Sequence, residues 1–266
     1  MAKPFNARTT RERAKKPTIR VGKALIPSLA LELEYYREIY NAVYEAVVGE
    51  VLPFKPEGYA EDRLTVNSLK ALQRKAYALV ARAVAKINRH SAKSTWASIE
   101  ELAKDNLTVG KVSMEPLLQQ QIETNVGLIT NLGEEARAKL TALYKEHGPD
   151  QATIYKELKH MVWYRAKLIA RDQNAKIFTS LNTSRMLESG LKTFIWDHSS
   201  AGKTPRPCHV KRDGHTFLLT GGPAELYFED GSDANYAFGG KQADAGKPGW
   251  AINCRCRMRP TSSLDD

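Results

Sequence analysis

Residues 161–196, MVWYRAKLIARDQNAKIFTSLNTSRMLESGLKTFIW, decide the reading of this chain. Over Met161–Ser189 the positions Ala166, Ile169, Gln173, Ile177, Leu181 and Ser184 recur at helical spacing and share one side of a long helix. Gly190 is the natural stop, because glycine enters the left-handed conformation that ends a helix without a Cβ penalty. From Lys192 the texture changes, and Phe194 and Trp196 alternate with other residues at the period of a short strand. The chain before Gly190 reads as helix, and the chain after Lys192 reads as strands and loops. The expected fold class is α+β: mainly helical in the N-terminal two-thirds, with a small Cys/His-marked, β-containing C-terminal module.

Toward the N-terminus, Asp150 is placed to cap a short helix through Ile154 and Leu158. Pro116 suits the first turn of a long helix carrying Leu118, Ile122, Val126 and Ile129. A separate helix carries Ala136, Leu140 and Leu143 and ends at His147-Gly148-Pro149. Further back, Leu69, Leu72, Ala76, Leu79, Ala83 and Ile87 make the apolar stripe of a helix over 66–88, while Lys70, Arg74, Lys75, Arg82 and Lys86 read as its solvated face. Pro27-Ser28 offers one more start, and Tyr36, Ile39, Val43 and Val47 recur until Gly49 and the Pro53/Pro56 pair.

Toward the C-terminus, the Asp213-Gly214 turn precedes a strand from His215 to Leu219. Thr220–Gly249, rich in glycine and carrying Glu225, Glu229, Asp230 and Asp233, reads as a long irregular excursion. In Cys254-Arg255-Cys256-Arg257-Met258-Arg259 a period of two puts the sulfur side chains on one face of a strand and the arginines on the other.

The chain has 266 residues, enough for one substantial core or two smaller ones, and its 42% hydrophobic content excludes a disordered polymer. Lys and Arg number 40 against 30 Asp and Glu, a formal charge of +10 that favours anionic partners. Most of the excess lies between Met1 and Lys23, where Lys3, Arg8, Arg11, Arg13, Lys15, Lys16, Arg20 and Lys23 face the single Glu12. Arg8, Arg11, Arg13, Lys15, Lys16 and Arg20 are thus candidates for contact with double-stranded DNA. With Phe5 the only aromatic residue there, such binding would be indifferent to sequence. The apolar run Ala24–Leu31 is broken by Pro27 and runs into Glu32 and Glu34, so it fits neither a signal peptide nor a membrane span, and a soluble protein made in the cytoplasm is expected. The expected organisation is a basic flexible arm over 1–25, a helical region over 26–160 and a C-terminal module over 161–266.

Cys208, Cys254 and Cys256 are an odd number crowded at one end, a poor disulfide framework and a better hint of a local metal or packing role. Thiolates two apart can both reach a tetrahedral zinc ion, and Cys208, His209 or His215 could complete the shell. Cys208 and His209, read as neighbours in an extended segment, would point apart. The competing reading is that the cysteines are free and pack under the Trp196 strand, with His209 a buried ring bonded to a neighbour. Arg206 and Asp197 are expected to pair across the turn, and Asn253 to satisfy backbone groups.

The helix segment Arg165–Gln173 with Arg171-Asp172, the residues Asn182–Arg185 and Glu188-Ser189-Gly190 resemble the helical lead-in of Mu F-like phage minor head proteins. The order of the later motifs is also similar to that family: Trp196 in a strand, Asp197, Arg206 to His209, the Asp213-Gly214 turn, a variable loop, Pro248-Gly249, and the terminal Asn253-Cys254-Arg255-Cys256. The resemblance spans roughly the last hundred residues. It implies a minor capsid protein of a tailed phage or prophage, made in the host cytoplasm and found in the virion at the head interior or portal vertex. It further implies work in head assembly, DNA packaging or DNA ejection beside a portal protein and a major capsid or scaffold protein, with no membrane partner and no catalysis. The alternatives are a zinc-dependent nucleic-acid-processing enzyme built on the Cys/His cluster and a plain DNA-binding module. The chain lacks a His-x-Glu…Pro-Cys-x-x-Cys pattern, a phosphate-cradling loop and zinc-finger spacing.

Overall fold

The computed structural model describes residues 19–47, 66–102, 113–148, 150–200 and 205–263. The expected fold class is what is found: four long helices and a small antiparallel sheet. Helix α1 spans Leu29–Val47, α2 Val66–Leu102, α3 Glu115–His147 and α4 Gln151–Glu188. Ser28 accepts the Leu31 N–H at 3.3 Å to open α1, Pro116 sits in the first turn of α3, and Asp150 accepts the Thr153 N–H at 3.2 Å to open α4. Each long helix buries an apolar stripe in one shared core, to which α1 gives Tyr35, Ile39 and Val43, α2 Leu72, Leu79 and Ile87, α3 Ile129 and Leu140, and α4 Val162, Ile177 and Leu181. Among the described residues, no helix is long and apolar enough to cross a membrane.

Three helices run further than their periodicity suggests. The stripe of α2 continues past Asn88 in small polar residues, Ser91, Thr95 and Ser98, all buried. They are tolerated because each is bonded: Ser91 and Thr95 donate to the Asn182 Oδ1 of α4 at 2.6 and 2.8 Å, and Ser98 to the Lys23 carbonyl at 3.0 Å. The two helices expected between Pro116 and Leu143 are one, running through Gly127 and Gly133. A Cβ on Gly133 would stand 2.3 Å from a Leu72 methyl, so this glycine sets how closely α3 approaches α2. The short helix after Asp150 and the long one from Met161 are also a single helix, α4. A boundary between 160 and 161 therefore falls inside a continuous helix, and the helical region and the C-terminal module share α4 as a common support.

The sheet has the order β1-β4-β2-β3, with β1 Ile19–Val21, β2 Thr193–Asp197, β3 Thr216–Leu218 and β4 Arg257–Ser263. Its centre is the β2/β4 pair, in register Phe194↔Pro260, Trp196↔Met258 and Asp197↔Arg257. Phe194, Trp196, Met258 and Phe217 are buried, while Arg259 faces out, as the period of two requires. The regular strand begins at Arg257, so Cys254 and Cys256 precede it, but they keep the same alternation: both are buried and Arg255 is exposed.

The flexible-arm reading of 1–25 is corrected at its end. Ile19–Val21 form an edge strand on β4, Arg20 stands half-buried opposite Ser262, and Leu25 is buried against Met258. Three residues are too few to show a strand period, and their basic neighbours mask it. Arg20 is therefore part of the sheet rather than of a free arm; Arg8, Arg11, Arg13, Lys15 and Lys16 lie outside the described residues.

Candidate metal centre

A five-residue helix, α5 at Pro207–Lys211, stands between β2 and β3 with Pro207 in its first turn. The segment expected to be extended is thus helical, which removes the reason given for Cys208 and His209 pointing apart. Both are buried. The His209 ring lies edge-on to Trp196 with centroids 5.1 Å apart. Its Nδ1 is 3.5 Å from Cys254 Sγ and 3.7 Å from Cys256 Sγ, and its Nε2 is 3.3 Å from the Asp244 carbonyl oxygen. With Nε2–H donating to that carbonyl, the Nδ1 lone pair is left facing two thiols.

These distances can be tested against a metal. Bonds of about 2.3 Å to sulfur and 2.0–2.1 Å to nitrogen at a tetrahedral angle put S and N about 3.6 Å apart. The observed 3.5 and 3.7 Å match that separation, so His209, Cys254 and Cys256 form a possible metal-binding group. Further contacts suit thiolate ligands. The Gly249 N–H donates to Cys254 Sγ at 3.4 Å, and the Cys254 thiol is held well below its usual range, first by its contact with Cys256 and then by His209. The Cys256 thiol is pushed up by the same contact and by burial.

Cys208 does not join this group. It belongs to a second one with His209 and Asp244, and burial, followed by the Asp244 carboxylate, raises its thiol. Asp244 is already engaged, because Arg206 Nε stands 2.8 Å from its Oδ1 and the Lys241 N–H donates to its Oδ2 at 3.1 Å. The expected Arg206–Asp197 pair is accordingly not formed. Arg206 also donates to the Ile252 carbonyl at 2.8 Å, while Asp197 meets Arg257 at 3.8 Å, its register partner on β4. Asp213 accepts the His198 N–H at 2.8 Å, and Gly214, at φ +75°, returns the chain to β2 by donating to the Trp196 carbonyl. Asn253 sits at φ +58°, so its part is conformational, since asparagine tolerates the left-handed region that the turn before Cys254 needs. Arg171 and Asp172 take other partners, Arg171 on α1 and Asp172 on α4 itself. Arg171 pairs with Glu32 at 3.3 Å, as does Arg255 at 3.9 Å, and Asp172 pairs with Lys176 at 2.8 Å.

The Thr220–Gly249 excursion is irregular, as expected, yet it is pinned. Leu226, Ala234 and Lys247 are fully buried, and Glu225, Asp230 and Asp233 accept nearby backbone N–H groups at turns. Two buried cations that bond to carbonyls of this excursion, Arg212 from the end of α5 and Lys247 from within it, had no signal in the sequence. Arg212 lies 5.1 Å over Trp196 and donates to the Asp244 and Asn235 carbonyls at 2.9 and 2.6 Å. Lys247 donates to the Thr220, Gly222 and Glu225 carbonyls at 3.0, 2.8 and 3.0 Å.

The end of the excursion docks on α4. Thr179 donates to the Pro248 carbonyl at 2.7 Å, and Lys176 lies 5.6 Å over the Trp250 ring. Gly249 is at φ +88°, and a Cβ there would stand 2.4 Å from Thr179 Oγ1. Gly249→Ala is therefore expected to cost about 2–3 kcal/mol, from left-handed strain and the disturbed Thr179 bond. Gly222→Ala, where a Cβ meets nothing within 4 Å, is the control. Thermal melts of the two variants should differ by several degrees, and equal melts would mean that the dock is loose.

The chain matches no family model and no solved structure. It is 31% identical over 111 residues to an uncharacterized protein of Haemophilus influenzae; the match covers 42% of this chain and 20% of that protein. The chain thus corresponds to about a fifth of that relative's length.

Proposed function

We propose that this chain is a minor head protein of a tailed phage or prophage, similar to the Mu F-like proteins. In this reading it resides at the portal vertex or head interior and acts in head assembly, DNA packaging or DNA delivery without catalysing a reaction. One observation carries the proposal: Trp196, His209, Cys254 and Cys256, spread over sixty residues of sequence, converge on one buried cluster, with Arg206 bonded at its edge to the Ile252 carbonyl and to Asp244. Resemblance in the order of motifs is thereby joined by a physical reason for that order. The cluster takes the role of a structural zinc site, with His209, Cys254 and Cys256 as ligands and Cys208 the nearest further thiol. Zinc there would neutralise two buried thiolates and tie β4 to α5. Burial of all three ligands suits a closed structural site, whereas catalysis would need an open coordination position.

The reading is tested on particles. Mass spectrometry of purified heads should detect the chain in few copies beside portal protein, and a knockout should yield non-infectious particles. Absence of the chain from purified particles would reject the proposal. The basic N-terminal segment is assigned to DNA through phosphate contacts alone. Removal of residues 1–18, which spares β1, should abolish most salt-sensitive retention on DNA. If the six cations it removes, Lys3, Arg8, Arg11, Arg13, Lys15 and Lys16, all engage phosphates, the truncation should lower the log–log salt slope by about 5. Equal retention by the truncated protein would remove the segment from that role.

A further inference from the structure

Helices α1 and α4 run antiparallel, with Tyr44 bonded to Tyr155 at one end, Tyr36 edge-on to Trp163 (6.4 Å) midway, and Glu32 paired with Arg171 near the other end. Along this seam lies a ridge that the core does not cover: Leu29 is 58% exposed, Leu33 41%, Trp163 39% and Tyr164 52%, with Tyr36 half-buried between them. Leu29, Leu33 and Tyr36 recur at helical spacing, so this is a second apolar stripe on α1, separate from Tyr35, Ile39 and Val43, which face the core.

Charge is one-sided along this ridge. Every carboxylate of α1 is matched to a cation on another element: Glu32 to Arg171 and Arg255, Glu34 to Lys86, Glu38 to Arg82 and Glu45 to Lys75. Glu157 of α4 is held by Lys139 and His147. Arg37, Lys156, Lys159 and Lys167 have no carboxylate set against them among the described residues. Instead Lys159 lies 5.7 Å over the Tyr155 ring and Lys167 4.8 Å over Trp163.

We infer that this ridge docks an acidic amphipathic helix of another protein. The apolar residues of that helix, at i, i+3, i+4 and i+7, would lie on Leu29, Leu33, Tyr36 and Trp163, and its flanking carboxylates would meet Arg37, Lys159 and Lys167. The 19 residues of α1, about 28 Å long, offer room for a partner of about five turns. Exposed leucines offer nothing to phosphates, and the lysines over Tyr155 and Trp163 occupy ring faces that bases would need, which disfavours nucleic acid. A second copy would set like charges against each other. The inference rests on the head-protein reading only for where such a partner would be found.

The test places p-benzoylphenylalanine at Leu33 or Tyr164 of the full chain, with exposed Thr124 of α3 as control, in cells carrying the native gene cluster. After irradiation, adducts are mapped by mass spectrometry. The expected result is one net-acidic, amphipathic segment of another protein crosslinked from both ridge positions and not from Thr124. Yield from Tyr164 should fall at least tenfold when Lys159→Glu and Lys167→Glu are combined, in protein whose circular dichroism is unchanged. Adducts to nucleic acid, to another copy of the chain or to a segment without net negative charge would overturn the inference, as would yields equal to the control. A partner that is not a head component would uphold this inference while rejecting the head-protein reading. Presence in particles without ridge adducts would do the reverse.

Discussion

Lys247→Met is expected to destabilise the protein at pH 7 by at least about 3 kcal/mol, because three backbone carbonyls lose a charged donor and hydrogen bonds to charged groups are each worth about 1.5–3 kcal/mol. Methionine fills the volume without donating, so the carbonyls of Thr220, Gly222 and Glu225 would lose the donor that gathers them. The same lysine predicts a pH signature. Burial pulls its pKa down from 10.5 to about 8, so between these values the unfolded chain holds a proton that the native state has released. Stability contributed by this group therefore rises with pH from about 8 to 10.5 and is flat outside that window. The rise is on the order of 3 kcal/mol at most. Urea melts at several pH values should show it in the native protein and not in Lys247→Met. Parallel profiles would show that the carbonyl cage offsets the effect of burial on the proton.

Buried lysine and clustered cysteine mark the two limits of what the sequence could disclose. Apolar periodicity located the cores of all four long helices and the Phe194/Trp196 strand, because burial of those residues repeats at the element's own period. It stopped short where burial was carried by Ser91, Thr95 and Ser98, which read as surface until their bonds to Asn182 and the Lys23 carbonyl are seen. It also split α3 and α4, because partial helices at 116–129 and 136–143, or before and after 160, look alike whether or not they are joined. At the site, Cys254, Cys256 and His209 could be picked out because sulfur and imidazole are scarce and clustered. Arg212, Lys247 and Asp244 could not, because a charged residue at a helix end or in a glycine-rich loop ordinarily faces water, and only the fold shows loop carbonyls turned to Arg212 and Lys247 and Arg206 set against Asp244. Which carboxylate Arg206 would choose was likewise a matter of register: Asp197 ends β2 opposite Arg257, which leaves Arg206 to Asp244.

Protein purified without chelator is expected to carry one zinc ion per chain, and Cys254→Ser or His209→Ala should abolish it with a larger loss of stability than Lys247→Met or Gly249→Ala. The magnitude comes from linkage. Structural zinc contributes an apparent 10–16 kcal/mol in zinc-finger peptides, comparable with the roughly 5–15 kcal/mol that holds a whole domain together. Loss of the ion would leave two buried sulfur atoms against a ring whose Nδ1 faces them, and would free the chain that leads into β4. Because β4 is central in the sheet, β1 should loosen with it, whereas the four long helices, which carry none of the three ligands, should keep their own hydrogen bonds. Most far-ultraviolet circular dichroism should therefore survive chelation while the thermal transition splits or falls by well over ten degrees. Thiol counting gives a second readout: in the loaded protein Cys254 and Cys256 should resist alkylation under native conditions and react after chelation. Cys208→Ser separates two roles for the third thiol. A 10–100-fold weaker zinc affinity would make it a supporting neighbour of His209, and complete loss would make it the fourth ligand. A metal-free protein with an unchanged melting temperature would leave the three side chains as ordinary core packing under Trp196.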